Sequence, residues 1–150
     1  MTINLTRHRI IIWGLLGWLV VGCGPSPSPT SEEITRQFQS SGRTFINLAK
    51  AVPGEWEKVC IFGPYSDNNA AFKTLGFGWN LEKFSSITTA EGIGLLVFVK
   101  ENTVLEHVEH DRKNGDFTNL SRKCFSRERS TFYHQTNPKK GWPGLFPKKG

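Results

Sequence analysis

The sequence predicts an α+β fold, with an N-terminal helix or helices packed on a small antiparallel sheet that ends in a C-terminal meander. Three observations lead there. Apolar residues recur early at helical spacing, as at Ile34 and Phe38. Residues 94–100, Gly-Leu-Leu-Val-Phe-Val-Lys, form a late β-branched and aromatic run. Strands and helices do not alternate along the chain as a parallel sheet requires. The chain has 150 residues, the size of one domain, and a composition 37% hydrophobic and 12% aromatic excludes a disordered polymer.

The elements follow in order. A first helix is expected from Thr30 or Ser31, either of which can cap it, with Glu32 and Glu33 at its positive end. Phe45, Leu48, Ala49 and Val52 continue the helical spacing on a second stretch, split from the first near Gly42 and stopped by Pro53-Gly54. Residues 56–62 read as a strand. Val59 and Ile61 alternate with Lys58, Cys60 and Phe62, so both faces carry apolar residues and the strand belongs inside a sheet.

Gly63-Pro64 ends that strand. Ser66 or Asp67 then caps a short helix carrying Ala70, Ala71 and Leu75. Residues 76–79, Gly-Phe-Gly-Trp, read as a loop or strand start, and residues 80–87 are ambiguous by pattern. After the strand at 94–100, residues 103–110 should return antiparallel across a short turn. Asn114-Gly115 predicts a second hairpin, with residues 117–120 on the way back. Phe125 and then residues 131–133 suggest a final strand.

The first 22 residues read as an address. Arg7, His8 and Arg9 precede a run of thirteen uncharged, mostly apolar residues, 10–22. A membrane-crossing helix needs about 20 such residues, so the run has the length of a secretory signal core instead. It ends in Val20-Val21-Gly22-Cys23, which resembles the lipobox of bacterial lipoprotein precursors. The resemblance implies a diacylglyceryl group on the Cys23 sulfur, cleavage after Gly22 and acylation of the new amine. Two or three acyl chains make a durable anchor where one binds only reversibly. Gly24 stands where an Asp would resemble an inner-membrane retention signal, so the outer membrane is implied if the host has one.

The resulting organisation is a signal peptide over 1–22, a lipidated Cys and Pro/Ser linker over 23–30, one globular domain over 31–136 and a basic flexible tail over 137–150. The linker alternates Pro with small polar residues and favours a polyproline II spacer of roughly 20 Å. In the tail, Lys139, Lys140, Lys148 and Lys149 surround Trp142 and Phe146, a composition suited to adsorption on anionic headgroups. The formal charge of +6 lies at the two ends, because the other 13 bases are matched by 13 acids. A neutral domain disfavours nucleic acid as a partner.

With Cys23 assigned to the lipid, Cys60 and Cys124 remain, and an exported pair is expected to form a disulfide. No cofactor and no metal are expected. The dense polar segment at 106–116 contains His107, His110, Asp111 and Asp116. On a strand, Glu106, Val108 and His110 share one face with Val104, while Leu105, His107, Glu109 and Asp111 share the other. The two His then point apart and cannot share a metal ion. Tyr65 and Trp79, at loop positions in an aromatic-rich segment, are candidates for an exposed binding patch.

These features favour a lipid-anchored cell-envelope protein, facing the periplasm or exterior, whose domain is a binding or assembly module. The partner would be an envelope protein or a cell-wall or lipid surface. The alternatives are a small hydrolase or metal-assisted enzyme built on His107, His110 and nearby acids, and an inhibitor or immunity-type protein.

Overall fold

The structure is a computed structural model, and residues 26–148 are described. The signal segment, Cys23 and Lys149 lie outside the described residues. Among the described residues no helix is long and apolar enough to cross a membrane.

The first helix, α1 (Pro29–Ser40), buries Ile34 and Phe38, as their spacing requires. It begins earlier than expected. Ser28 is the cap, its hydroxyl accepting from the Ser31 amide at 3.1 Å, and Pro29 sits in the first turn. Proline suits that position because its φ is preset and its missing N–H has no helical partner to lose. The end of the Pro/Ser segment thus belongs to the domain.

The second helical stretch is mostly replaced by a strand, β1 (Phe45–Asn47), followed by one helical turn, α2 (Leu48–Ala51). Ile46, Leu48 and Val52 are all fully buried. The local spacing was met by a strand and a turn because β1 pairs with a distant strand, β6 (Thr131–Gln135).

Four strands make the central antiparallel sheet: β2 (Lys58–Phe62), β3 (Ile93–Lys100), β4 (Thr103–Asp111) and β5 (Lys123–Ser126), in the order β4-β3-β2-β5. Between β2 and β3 lie α3 (Asn68–Leu75) and α4 (Leu81–Phe84). Asp67 caps α3 by accepting from the Ala70 amide at 2.7 Å, and Gly76 closes it in the left-handed conformation at φ 82°. Asn80 caps the single turn of α4.

Both faces of the sheet are covered. On one, Val59, Ile61, Leu96, Phe98 and Val108 pack with α1, β1 and Phe132. On the other, Phe62, Leu95 and Val97 pack with Ala71 and Leu75 of α3 and Leu81 of α4. Two-sided burial is why residues 94–100 are apolar without alternation. Cys60 and Cys124 are directly opposed in the β2–β5 register and form a disulfide.

Three expectations need correction. First, β4 carries a bulge: Phe98 pairs with Glu106 but Val99 with Val104, leaving Leu105 as the extra residue. The bulge moves Val104 off the face of Glu106, Val108 and His110, and Val104 packs with the opposite cluster.

Second, Asn114-Gly115 does not turn a hairpin. Residues Arg112–Asn114 and Thr118–Leu120 form 3₁₀ turns that carry the chain across to β5, at the far edge of the sheet. Asp116 holds this crossing. It pairs with Arg112 at 2.9 Å and accepts from the Thr118 amide at 2.8 Å. Gly115 has φ 133°, and a Cβ there would meet Ile46 Cδ1 at 2.8 Å, so the close approach requires glycine.

Third, the tail is not flexible throughout. Residues Gly144–Pro147 form β7, antiparallel to β6 in a three-stranded sheet of order β1-β6-β7. Leu145 is fully buried. Pro147 is tolerated because β7 is an edge strand, where a missing donor costs no ladder bond. Trp142 is held as well: its indole N–H donates to Thr118 Oγ1 at 3.2 Å and its carbonyl accepts from Asn119 at 2.8 Å. The late strands are consequently divided between two sheets.

Candidate functional site

A groove of about 830 Å³ runs along the outer edge of β4. Its floor is β4 from His107 to Asp111. One wall is the first turns of α1, with Ser31, Glu32 and Thr35. The other is the end of α4 and the following loop, with Lys83, Phe84, Ser85 and Ser86. Ser26 and Ser28 lie on its rim.

The hydrogen-bond pattern shows which backbone groups face the groove. The Arg112 amide donates to the Gly92 carbonyl at 3.0 Å, one step beyond the last β3–β4 pair. Antiparallel ladders alternate hydrogen-bonded and non-bonded pairs. His110 and Val108, two and four residues back, therefore bond to β3. His107 and Glu109 direct their N–H and C=O outward, as Asp111 does its N–H, and no backbone partner for these groups is found among the described residues.

Glu109 is fixed by the loop after α4. Its Oε1 accepts from the Ser86 amide at 2.6 Å, the Ser85 hydroxyl at 2.8 Å and the Ser86 hydroxyl at 3.0 Å. Partial burial alone would raise its pKa, but these donors outweigh burial and hold it below the usual carboxylate range. The group is an ionised carboxylate whose Oε2 has no protein donor among the described residues. Beside it, His107 packs against Phe84 and Trp79, and the Trp79 and Phe84 rings stack at 5.7 Å. Phe84 is 46% exposed.

His110, by contrast, is sealed in the core at 1% exposure. Its Nε2 lies 3.1 Å from the Asn114 carbonyl, which can only accept, so Nε2 carries the proton. Nδ1 is then the acceptor for the Ser31 hydroxyl at 3.0 Å. Burial lowers the His110 pKa, outweighing the opposing effects of the Asn114 carbonyl and the Asp111 charge. This Ser–His pair satisfies two polar groups beneath α1.

The predicted catalytic set is not gathered. His107 and His110 project from opposite faces of β4. The Asp111 side chain accepts from the Lys113 amide at 2.9 Å and caps the turn there. For Asp116, burial would raise the pKa, and its bonds from Arg112 and Thr118 lower it. Among the described residues, no group of three or more His, Cys, Asp or Glu is placed to hold a metal ion.

The aromatic candidates also have separate surroundings. Tyr65 is 58% exposed and its hydroxyl donates to Glu91, whereas Trp79 is half-buried against Phe84 and His107. Of the tail residues, Lys139 and Lys140 are exposed and Phe146 is half-buried in β7, two residues before Lys148. The groove residues that sequence reading missed, Phe84, Ser85 and Ser86, fall in the ambiguous segment 80–87, and Ser31, read as a candidate cap, lies instead inside the first turn that Ser28 caps. Their one sequence signal was the polar cap at Asn80 preceding an apolar turn.

Comparison with known protein families, curated proteins and solved structures finds no match to this chain.

Proposed function

We propose that this is a lipid-anchored cell-envelope protein whose domain binds a partner without catalysis. The groove along β4 carries this reading. Its rim includes Ser26, three residues from Cys23. Three residues span at most about 11 Å, so lipidation at Cys23 would hold the groove next to the lipid surface. An open carboxylate, an exposed aromatic ring and outward backbone groups suit recognition of a partner in the envelope.

The test has two parts. Intact mass of the membrane-extracted protein should show a chain that starts at Cys23 and carries acyl groups, and Cys23→Ser should leave unprocessed precursor. A photo-crosslinking residue at Phe84 should then join one envelope component in living cells. A mature chain without acyl mass, or crosslinking no greater than from exposed Lys50, would reject the reading.

A further inference from the structure

We propose that the outer edge of β4, from His107 to Asp111, receives an additional β-strand from an extended, basic segment of a partner protein. This deepens the binding reading by naming the partner's chemistry, and it rests on that reading for its biological setting.

The backbone supplies the first reason. His107 and Glu109 present N–H and C=O outward and Asp111 adds its N–H, the pattern an added strand pairs with. An open edge invites association, and proteins commonly blunt edges with bulges and charges. Here the bulge at Leu105 ends the regular edge on one side, and the 3₁₀ turn at Arg112 ends it on the other. Between them the edge forms the floor of the groove.

The walls supply the second reason. The edge is recessed between α1 on one face of the sheet and the α4 loop on the other. A second copy's β4 carries the same two walls, which would meet those of the first as two such edges approach the strand spacing of about 4.8 Å. A single extended segment can enter.

Charge supplies the third. The fixed carboxylate of Glu109 offers a free Oε2 to the groove, on the same face as the exposed ring of Phe84. Of the basic residues along the walls, Arg36 is engaged with Glu33 at 2.5 Å and Lys83 lies over the Phe84 ring. A Lys or Arg on the incoming strand, beside Glu109, would place its cation on the free carboxylate oxygen. Its neighbours in sequence would face Val108 and the first turns of α1, where small or β-branched residues fit.

The experiment uses the full chain purified in detergent and two arrays of linear octapeptides, one with Lys and one with Glu fixed at a central position. Peptides of the Lys array should bind, with proline excluded at alternate positions near the Lys. Binding should slow amide exchange at His107, Glu109 and Asp111. Glu109→Gln keeps the serine contacts and should weaken binding roughly tenfold, as loss of a charge-assisted bond predicts. His107→Pro removes an outward donor without touching the β3 ladder and should abolish it.

Equal binding of the Lys and Glu arrays, or unchanged exchange at the three amides on saturation, would overturn the proposal. So would slowing of that exchange by raising protein concentration alone, which would identify a second copy as the occupant. Because the readout needs no lipid, failure here is distinguishable from failure of the anchor, which the mass measurement reports.

Discussion

Ser31 and His110, 79 positions apart, share a hydrogen bond of 3.0 Å beneath the first turn of α1. The pair ties the start of the folded domain to the strand that floors the groove. Because Nε2 must donate to the Asn114 carbonyl, the Ser31 hydroxyl finds its acceptor only in a neutral imidazole.

This relationship predicts a pH dependence. Burial lowers the folded-state pKa of His110 below the ordinary value of 6.5. The unfolded chain therefore binds the proton more readily. The contribution of His110 is complete above its unfolded pKa and is lost as pH falls from about 6.5 toward the folded pKa. Urea denaturation should show stability declining as pH falls below about 6.5, and His110→Gln should flatten that slope. Glu109 and Asp116, whose pKa values are also lowered, lose their contributions further down, in the carboxylate range. Nitrogen-detected NMR should find the Nε2–H tautomer at neutral pH. An unchanged slope in the variant would remove His110 as its source.

The Cys60–Cys124 bridge closes a separation of 64 residues. In the chain-entropy account a loop of that size is worth about 4 kcal/mol. Reduction, or either Cys→Ala substitution, should lower stability by about 2–5 kcal/mol, read from the denaturant midpoint. Identical midpoints with and without reductant would show that the ladder between β2 and β5 holds unaided.

The C-terminal segment divides into two roles. Deleting residues 137–150 removes β7 and the buried Leu145, so the domain should lose at least about 2–4 kcal/mol. Replacing Lys139, Lys140, Lys148 and Lys149 by Ala should leave stability nearly unchanged. The same variant should reduce binding to anionic vesicles at low salt, since each lysine near such a surface contributes about 1 kcal/mol. Equal vesicle binding by variant and parent would leave β7 as the segment's one contribution.

Local signals in the chain were readable where neighbours in sequence decide the outcome. The spacing of Ile34 and Phe38 marks the buried face of α1, and Asp67 before Ala70 and Ala71 marks the start of α3. Residues 94–100 read as a fully buried strand because both faces of β3 are covered. The α+β class followed from these elements. The pairing of Cys60 with Cys124 followed from parity once Cys23 was set aside.

Other features were illegible for a shared reason. Residues 45–47 carry a helical spacing, yet they extend because β6 offers them a ladder. Asn114-Gly115 has the composition of a hairpin turn, but Asp116, Arg112 and Thr118 bond to one another and send the chain across the sheet. In the tail, Leu145 looks like one apolar residue among prolines and glycines until a core with room for it is in place. The bulge at Leu105 reversed the face of Val104, which strict alternation along the strand could not reveal.

By itself the sequence determined which segments are apolar on one side or two, and that helices combine with an antiparallel sheet. Those properties depend on side-chain type and spacing within a few residues. The tertiary structure alone decided that β4 is an edge, that its outward groups belong to His107, Glu109 and Asp111, and that Ser85 and Ser86 hold Glu109 ionised. Strand order, ladder phase and the donors around a carboxylate depend on residues far apart in the chain. Packing two faces of one sheet at once brings them together.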